Sequence, residues 1–317
     1  MKILFITTKN KNSQGDYLEL TAINGLRKLL GDNFIEFPKK KIMYHDFSES
    51  PKSELHGKGF TMLRYPIRDV DRTKVLEQDY DAVIYGCGHI IGEEINIHDY
   101  DNLANGNVWV LDGHDLFGDA RIKQEFNGKE IIGNQFKKSF KRELVFQEET
   151  VYPTGYGIPE EIIMPIDLSK KKKLIQNTYP KYANFEKATD LAGSREHHIF
   201  EEEVDYFEDM ASSWFGLTSI KGGWDSLRHY EILASGSLLL FRDYENKPEF
   251  CSPQKLPCFS YSNKKELDYL LNNLVEDNIP SKEYLNMLNE QRKWLIENGT
   301  TLARAKNILE VIENFSN

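Results

Sequence analysis

The stretch KILFIT, residues 2–7, carries four apolar side chains in a row, Ile3 to Ile6. A strand with one wet face alternates polar and apolar residues; an unbroken run needs cover on both faces. That requirement fits a strand inside a parallel sheet. A helical pattern follows in YLELTAINGLRKLLG, with Leu18, Leu20, Ile23, Leu26, Leu29 and Leu30 at helical spacing and Gly31 as the stop. NFIEFP then reads as a second short strand. Strand, helix, strand in this order implies parallel pairing through a right-handed crossover. DAVIYGC (81–87), NVWVLDG (107–113) and EIIGNQF (130–136) continue the series. Residues 40–75 are irregular and aromatic-rich, as in a long functional loop or an inserted subdomain.

The chain has 317 residues, above the usual size of one domain. YPTGYGIPEEIIMPIDLSKKKK (152–173), with three prolines and two glycines, reads as a linker. Its run Lys170 to Lys173 reads as a solvated charge run; contact with a phosphate or a lipid headgroup is the other reading. A second α/β pattern follows. KATDLAGS (187–194) is a weak strand and turn, and IFEEEVDYFEDMASS a helix. WFGLTSI (214–220) is a strand, 224–235 a helix and SLLLF (237–241) another strand. From Ser281 to Phe315 the periodicity is helical. The expectation is an α/β chain of two domains, 1–160 and 161–317, the second ending in the C-terminal helices. Ligands of such sheets bind beyond the C-terminal strand ends, and two facing domains place a cleft there.

Composition excludes several functions. The formal charge of −10 disfavours general nucleic-acid binding. Cys87, Cys251 and Cys258 form no CxxC pair, so neither a disulfide framework nor a zinc cage is supported. The N-terminal apolar run is too short for a signal peptide, and no run reaches the ~20 apolar residues of a membrane helix. A cytoplasmic protein without a transmembrane segment is expected; peripheral contact with a membrane stays open.

KGGWDSLRHYEILASGSLLLF (221–241) reads as turn, helix, glycine stop and strand. At about 100° per residue, Trp224, Arg228, Glu231 and Ser235 share one sector of the helix. Arg228 and Glu231 stand three apart, so an ordinary helix ion pair is one reading. The other reading follows from the surroundings. Ile232, Leu233 and Leu227 lie on several sides of the helix, so it is covered widely, and buried charges need partners. A strand end, two glycines and the free N–H groups of a helix make an anion site. Lys221 and Arg228 add positive charge, and Glu231, one turn further in, can accept two hydroxyl hydrogen bonds. Phosphates at the helix mouth and a diol at a glutamate describe a nucleotide.

GGWDSLRHYEILASGSLLLF resembles the donor-nucleotide motif in the C-terminal domain of GT-B glycosyltransferases, and its R-x-x-E-x-x-A-x-G core is closest to exostosin-like sugar transferases. The resemblance covers about twenty residues. It implies the GT-B fold, two Rossmann-like domains facing across a cleft, and a nucleotide-sugar donor. By the same resemblance Glu231 binds the ribose hydroxyls, and Lys221, Gly222, Gly223 and Arg228 lie near the diphosphate or the sugar. Retaining members often carry a second glutamate eight positions earlier; Gly223 stands there, which favours inversion. Members of this class usually need no metal, so neither a metal nor another cofactor is expected. The acceptor is a glycan, a lipid-linked molecule or another hydroxyl compound.

Two further segments fit less specifically. AGSREHH (192–198) offers Ser194 and Arg195 as diphosphate contacts, or it is a surface turn. SFKREL (139–144) offers Lys141 or Arg142 to the cleft, or it is charged surface. An inverting transfer also needs a general base. VLDGHDLFG supplies Asp112, His114 and Asp115 after a confident strand, an imidazole flanked by carboxylates. An Asp-rich turn with a solvated histidine is the plain alternative. His89, Glu93 and Asp16 are other candidates at strand ends. A GT-B epimerase or hydrolase, and a non-catalytic nucleotide-binding scaffold, remain open beside the transferase.

Overall fold

The computed structural model describes residues 1–7, 16–44, 67–87, 100–113, 124–126, 129–131, 138–145, 149–186, 200, 202–220 and 223–316. The chain divides into two compact units. The first is Met1–Pro159, Phe250–Ser252 and Thr300–Asn317; the second is Glu160–Glu249 and Pro253–Gly299.

The first unit opens with β1 (Ile3–Ile6), α1 (Tyr17–Leu30), β2 (Phe34–Phe37), β3 (Ala82–Cys87) and β4 (Val108–Asp112). The strands β5 (Gln124–Phe126), β6 (Lys129–Ile131), β7 (Ser139–Lys141) and β8 (Val151–Pro153) follow. Six strands form one sheet in the order β2-β1-β3-β4-β7-β8, every neighbouring pair parallel. Ile3 and Phe5 pack on one face with Trp109 and Phe140. Leu4 and Ile6 pack on the other with Val83 and Val110. Both faces are covered, which is why the strand sequences do not alternate. Asp16 caps α1: its Oδ1 accepts the N–H groups of Leu18 at 2.9 Å and Glu19 at 3.2 Å.

Two local expectations change. Within EIIGNQF, β6 pairs antiparallel with β5 in a separate hairpin rather than joining the sheet. The place beside β4 goes to β7, from the charged segment SFKREL, because its Lys141 finds a buried partner there. Nor is the linker bare, since β8 lies inside it as the sheet's edge strand.

The second unit contains β9 (Lys173–Ile175), α2 (Glu203–Ala211), β10 (Ser213–Ser219), α3 (Leu227–Ser235), β11 (Leu238–Arg242) and β12 (Phe259–Tyr261). Next come α4 (Lys264–Leu274), the hairpin β13 (Val275–Glu276) and β14 (Ile279–Pro280), and α5 (Lys282–Asn298). Its sheet runs β12-β11-β10-β9, all parallel. Strand β12 reaches only Leu240 to Arg242 of its neighbour. Beyond it the buried Gln291 of α5 substitutes for a strand: its amide both accepts from Leu239 N and donates to Leu239 O, each at 3.0 Å.

The lysine run splits by environment. Lys170 and Lys172 are exposed, as expected of a charge run. Lys171 is buried, 8% exposed, because its ammonium finds three oxygens. It donates to Ser213 O at 2.6 Å, Gly236 O at 2.8 Å and Ser237 Oγ at 3.3 Å. Burial, with Arg292 adding to it, pushes this ammonium down to about 7 from its ordinary 10.5. The folded protein therefore binds the Lys171 proton more weakly than the unfolded chain does. Stability is highest with respect to this group above pH 10.5 and falls as pH drops toward 7. Lys171→Met is expected to remove that slope, at most about 1.4 kcal/mol per pH unit. Urea unfolding of both proteins from pH 7 to pH 10 checks it; parallel pH curves would refute it.

The last helix, α6 (Thr301–Ser316), was expected in the second domain but belongs to the first unit. It packs along α1, with Ala305, Ile308 and Ile312 in that unit's core. Gly25 permits the approach: a β-carbon there would lie 2.0 Å from Thr301 O. Thr301 Oγ1 also donates to Asn24 Oδ1 at 2.7 Å.

Candidate functional site

In the second unit, α3 follows β10 in the chain. Gly223, Trp224 and Asp225 are all buried, and the helix begins at Leu227, three residues later than the sequence suggests. The helix itself holds two of these residues. His229 Nε2 meets Trp224 O at 2.9 Å and its Nδ1 meets Thr218 Oγ1 at 2.9 Å. A carbonyl only accepts, so Nε2 carries the proton and Nδ1 takes the threonine's hydrogen. Tyr230 reaches back as well, donating to Asp225 Oδ1 at 2.7 Å. Both side chains tie α3 back to Trp224 and Asp225, just ahead of its N-cap. Ser226 sits at the N-cap without a side-chain cap bond, and its carbonyl accepts the His229 N–H at 3.0 Å. Gly236 closes the helix in the left-handed conformation, φ 78°.

The two charges of α3 are tied to other elements. Arg228 donates through Nη1 to Thr178 O, in the loop after β9. Glu231, 6% exposed, accepts the Tyr206 hydroxyl of α2 on Oε2 at 2.6 Å. Thr178, Tyr206 and Asp209 carry no sequence signal for this role; only the fold brings them beside α3. Asp209 accepts Asn177 N–H at 2.9 Å and pairs with Lys173, which sets the same loop against α2.

In the first unit, Asp112 ends β4 and Lys141 ends β7, and the two are register partners. Lys141 Nζ lies 2.7 Å from Asp112 Oδ2, with both side chains buried. Next to them Arg142 donates to Glu143 Oε1 at 2.9 Å and to Gly113 O at 3.1 Å, its guanidinium over the Tyr156 ring at 4.8 Å. Glu19 and Lys40 form another buried pair at 2.9 Å, and Glu19 packs over Gly86 near the end of β3. The strand order reverses between β1 and β3, so the Glu19–Lys40 pair lies beside the sheet's topological switch point.

Glu231 and Arg228 lie on α3 and Gly223 just before it in the second unit; Asp112 ends β4 and Arg142 follows β7 in the first. His114, Asp115, Ser194, Arg195, Lys221 and Gly222 lie outside the described residues, as do His89 and Glu93. Among the described residues no group of three His, Cys, Asp or Glu side chains is arranged to hold a metal ion. No described helix is long and apolar enough to cross a membrane.

The chain has the GT-B glycosyltransferase fold: α/β, with two Rossmann-like parallel sheets and helices, matched end to end by solved structures of that class. Anabaena HepE in complex with UDP is similar with a TM-score of 0.56 and 12% identity, covering 99% of this chain and 100% of that one. A glycosyltransferase from Rickettsia africae matches with a TM-score of 0.50 and 10% identity over 99% of this chain and 98% of that one. The N-terminal domain of Candida albicans trehalose-6-phosphate phosphatase matches with a TM-score of 0.53 and 9% identity over 98% and 96%. No protein-family model matches the chain, and no curated protein does.

Proposed function

We propose that this chain is a glycosyltransferase that moves a sugar from a nucleotide-sugar donor to an acceptor hydroxyl. The observation that carries the reading is Glu231, a buried carboxylate one turn inside a helix that follows a parallel strand. A helix mouth of that kind suits a diphosphate, and a carboxylate beyond it suits a vicinal diol. Support comes from HepE, solved with UDP and with UDP-glucose. Uridine diphosphate is accordingly the first donor nucleotide to try.

In this reading Lys221, Gly222, Gly223 and Arg228 lie along the diphosphate, with Ser194 and Arg195 as further contacts; Arg142, 1% exposed and committed to Glu143 and Gly113, is not among them. His114, oriented by Asp115, takes the proton of the acceptor hydroxyl. The acceptor oxygen forms a bond to the sugar's anomeric carbon as the bond to the phosphate oxygen breaks. The electron pair leaves on the nucleoside diphosphate, and the anomeric configuration inverts. No metal takes part. Asp112 serves by holding Lys141 at the end of β4, its buried salt bridge fixing the strand end that leads toward His114.

A thermal-shift panel of nucleoside diphosphates and nucleotide sugars tests the reading. A donor at about 100 times its Kd is expected to add about 2.7 kcal/mol of stability. Product analysis with an acceptor panel follows. Sugar transferred to an acceptor supports the transferase. Sugar released only to water indicates a hydrolase, a donor isomerised without transfer an epimerase, and binding without turnover a scaffold.

A further inference from the structure

We infer that Tyr206 is a positioning residue that orients Glu231 for the hydroxyl pair of the donor's ribose. The inference rests on the reading of Glu231 as the diol acceptor and names the group that makes it one. A glutamate side chain turns about three bonds, and a diol needs its carboxylate in one orientation. Tyr206 supplies the constraint: its hydroxyl donates to Glu231 Oε2 at 2.6 Å, a charge-assisted hydrogen bond. A carboxylate offers about four acceptor positions, and this bond takes one of them. Tyr206 is part-exposed whereas Glu231 is buried, so the pair stands where the helix surface meets solvent.

The phenol is itself held. Its ring meets Phe207 edge-on with centroids 5.5 Å apart. Its helix is fixed at the other end by Asp209, which pairs with Lys173 and accepts Asn177 N–H. Ser213 Oγ and Ser212 Oγ donate to Asp209 O at 2.7 Å and 3.0 Å, anchoring α2 to the strand that follows it. The loop gripped by Asp209 continues to Thr178, whose carbonyl receives Arg228. Helix α2 therefore governs both charges of α3, Glu231 directly and Arg228 through two residues of loop. A tyrosine that only filled space at this surface would need no partner so short or so buried.

The test uses calorimetric titration of the full chain with UDP and with its 2′,3′-dideoxy analogue. Wild-type protein is expected to prefer UDP. Tyr206→Phe, which removes one oxygen, is expected to cut that preference about tenfold while affinity for the dideoxy analogue stays within about twofold. In a Glu231→Gln background the tyrosine substitution is expected to change the preference little, because the group it orients has changed. Equal weakening toward both ligands in Tyr206→Phe would assign the residue a merely structural role and overturn the inference. So would an unchanged preference. A wild-type protein indifferent to the ribose hydroxyls would overturn the Glu231 reading itself, and the inference with it.

Discussion

Glu231→Ala is expected to weaken UDP binding by about 100-fold or more in a chain that stays folded. Hydrogen bonds to a charged group each contribute about 1.5–3 kcal/mol, and a diol held as proposed would make two of them. The helix tolerates the change, because alanine is the strongest helix former. Tyr206 is part-exposed and can turn its hydroxyl to water, and Arg228 keeps its carbonyl at Thr178. Calorimetric titration measures the loss, and circular dichroism confirms that the helices survive. Undiminished binding in a folded variant would remove Glu231 from the donor site.

The largest stability loss is expected at Glu36, a residue with no part in the proposed chemistry. It lies on β2, fully buried, and accepts from Arg27 Nη2 at 3.1 Å, from Arg72 Nη2 and from the Tyr44 hydroxyl. Burial and the Glu36 carboxylate together push the Tyr44 phenol above its ordinary range, so it stays a donor at any working pH. Glu36→Ala leaves two guanidinium groups close together with their shared anion gone. Breaking a buried ion pair from one side costs about 3–5 kcal/mol. Urea unfolding followed through the first unit's tryptophan, Trp109, should show the loss. A shift worth less than about 1 kcal/mol would mean that solvent reaches the cluster.

Much of this architecture was legible in sequence. Runs such as Ile3–Ile6 betray a sheet covered on both faces, and Gly31 and Gly236 mark helix ends through a conformation that few other residues adopt. The donor-like helix was visible because charge, glycine and apolar strand sit within twenty-one residues of one another. What escaped depends on partners far along the chain. Lys173–Ile175 hides in a lysine run, and it becomes a strand only because β10 offers an edge and Asp209 a counter-charge. Tyr206 lies 25 residues from Glu231, at a separation that no local pattern encodes. Arg72 and Tyr44, from a region with no readable periodicity, clasp β2 through a glutamate that looks out of place in its strand.

The last helix has a consequence for synthesis. Ala305, Ile308 and Ile312 complete the first unit's core, yet they follow the whole of the second unit in the chain. On the ribosome the N-terminal sheet emerges early with the α6-facing side of α1 still bare. The second unit, whose residues all lie between 160 and 299, can close on itself before then. The half of the protein that is translated first is therefore finished last.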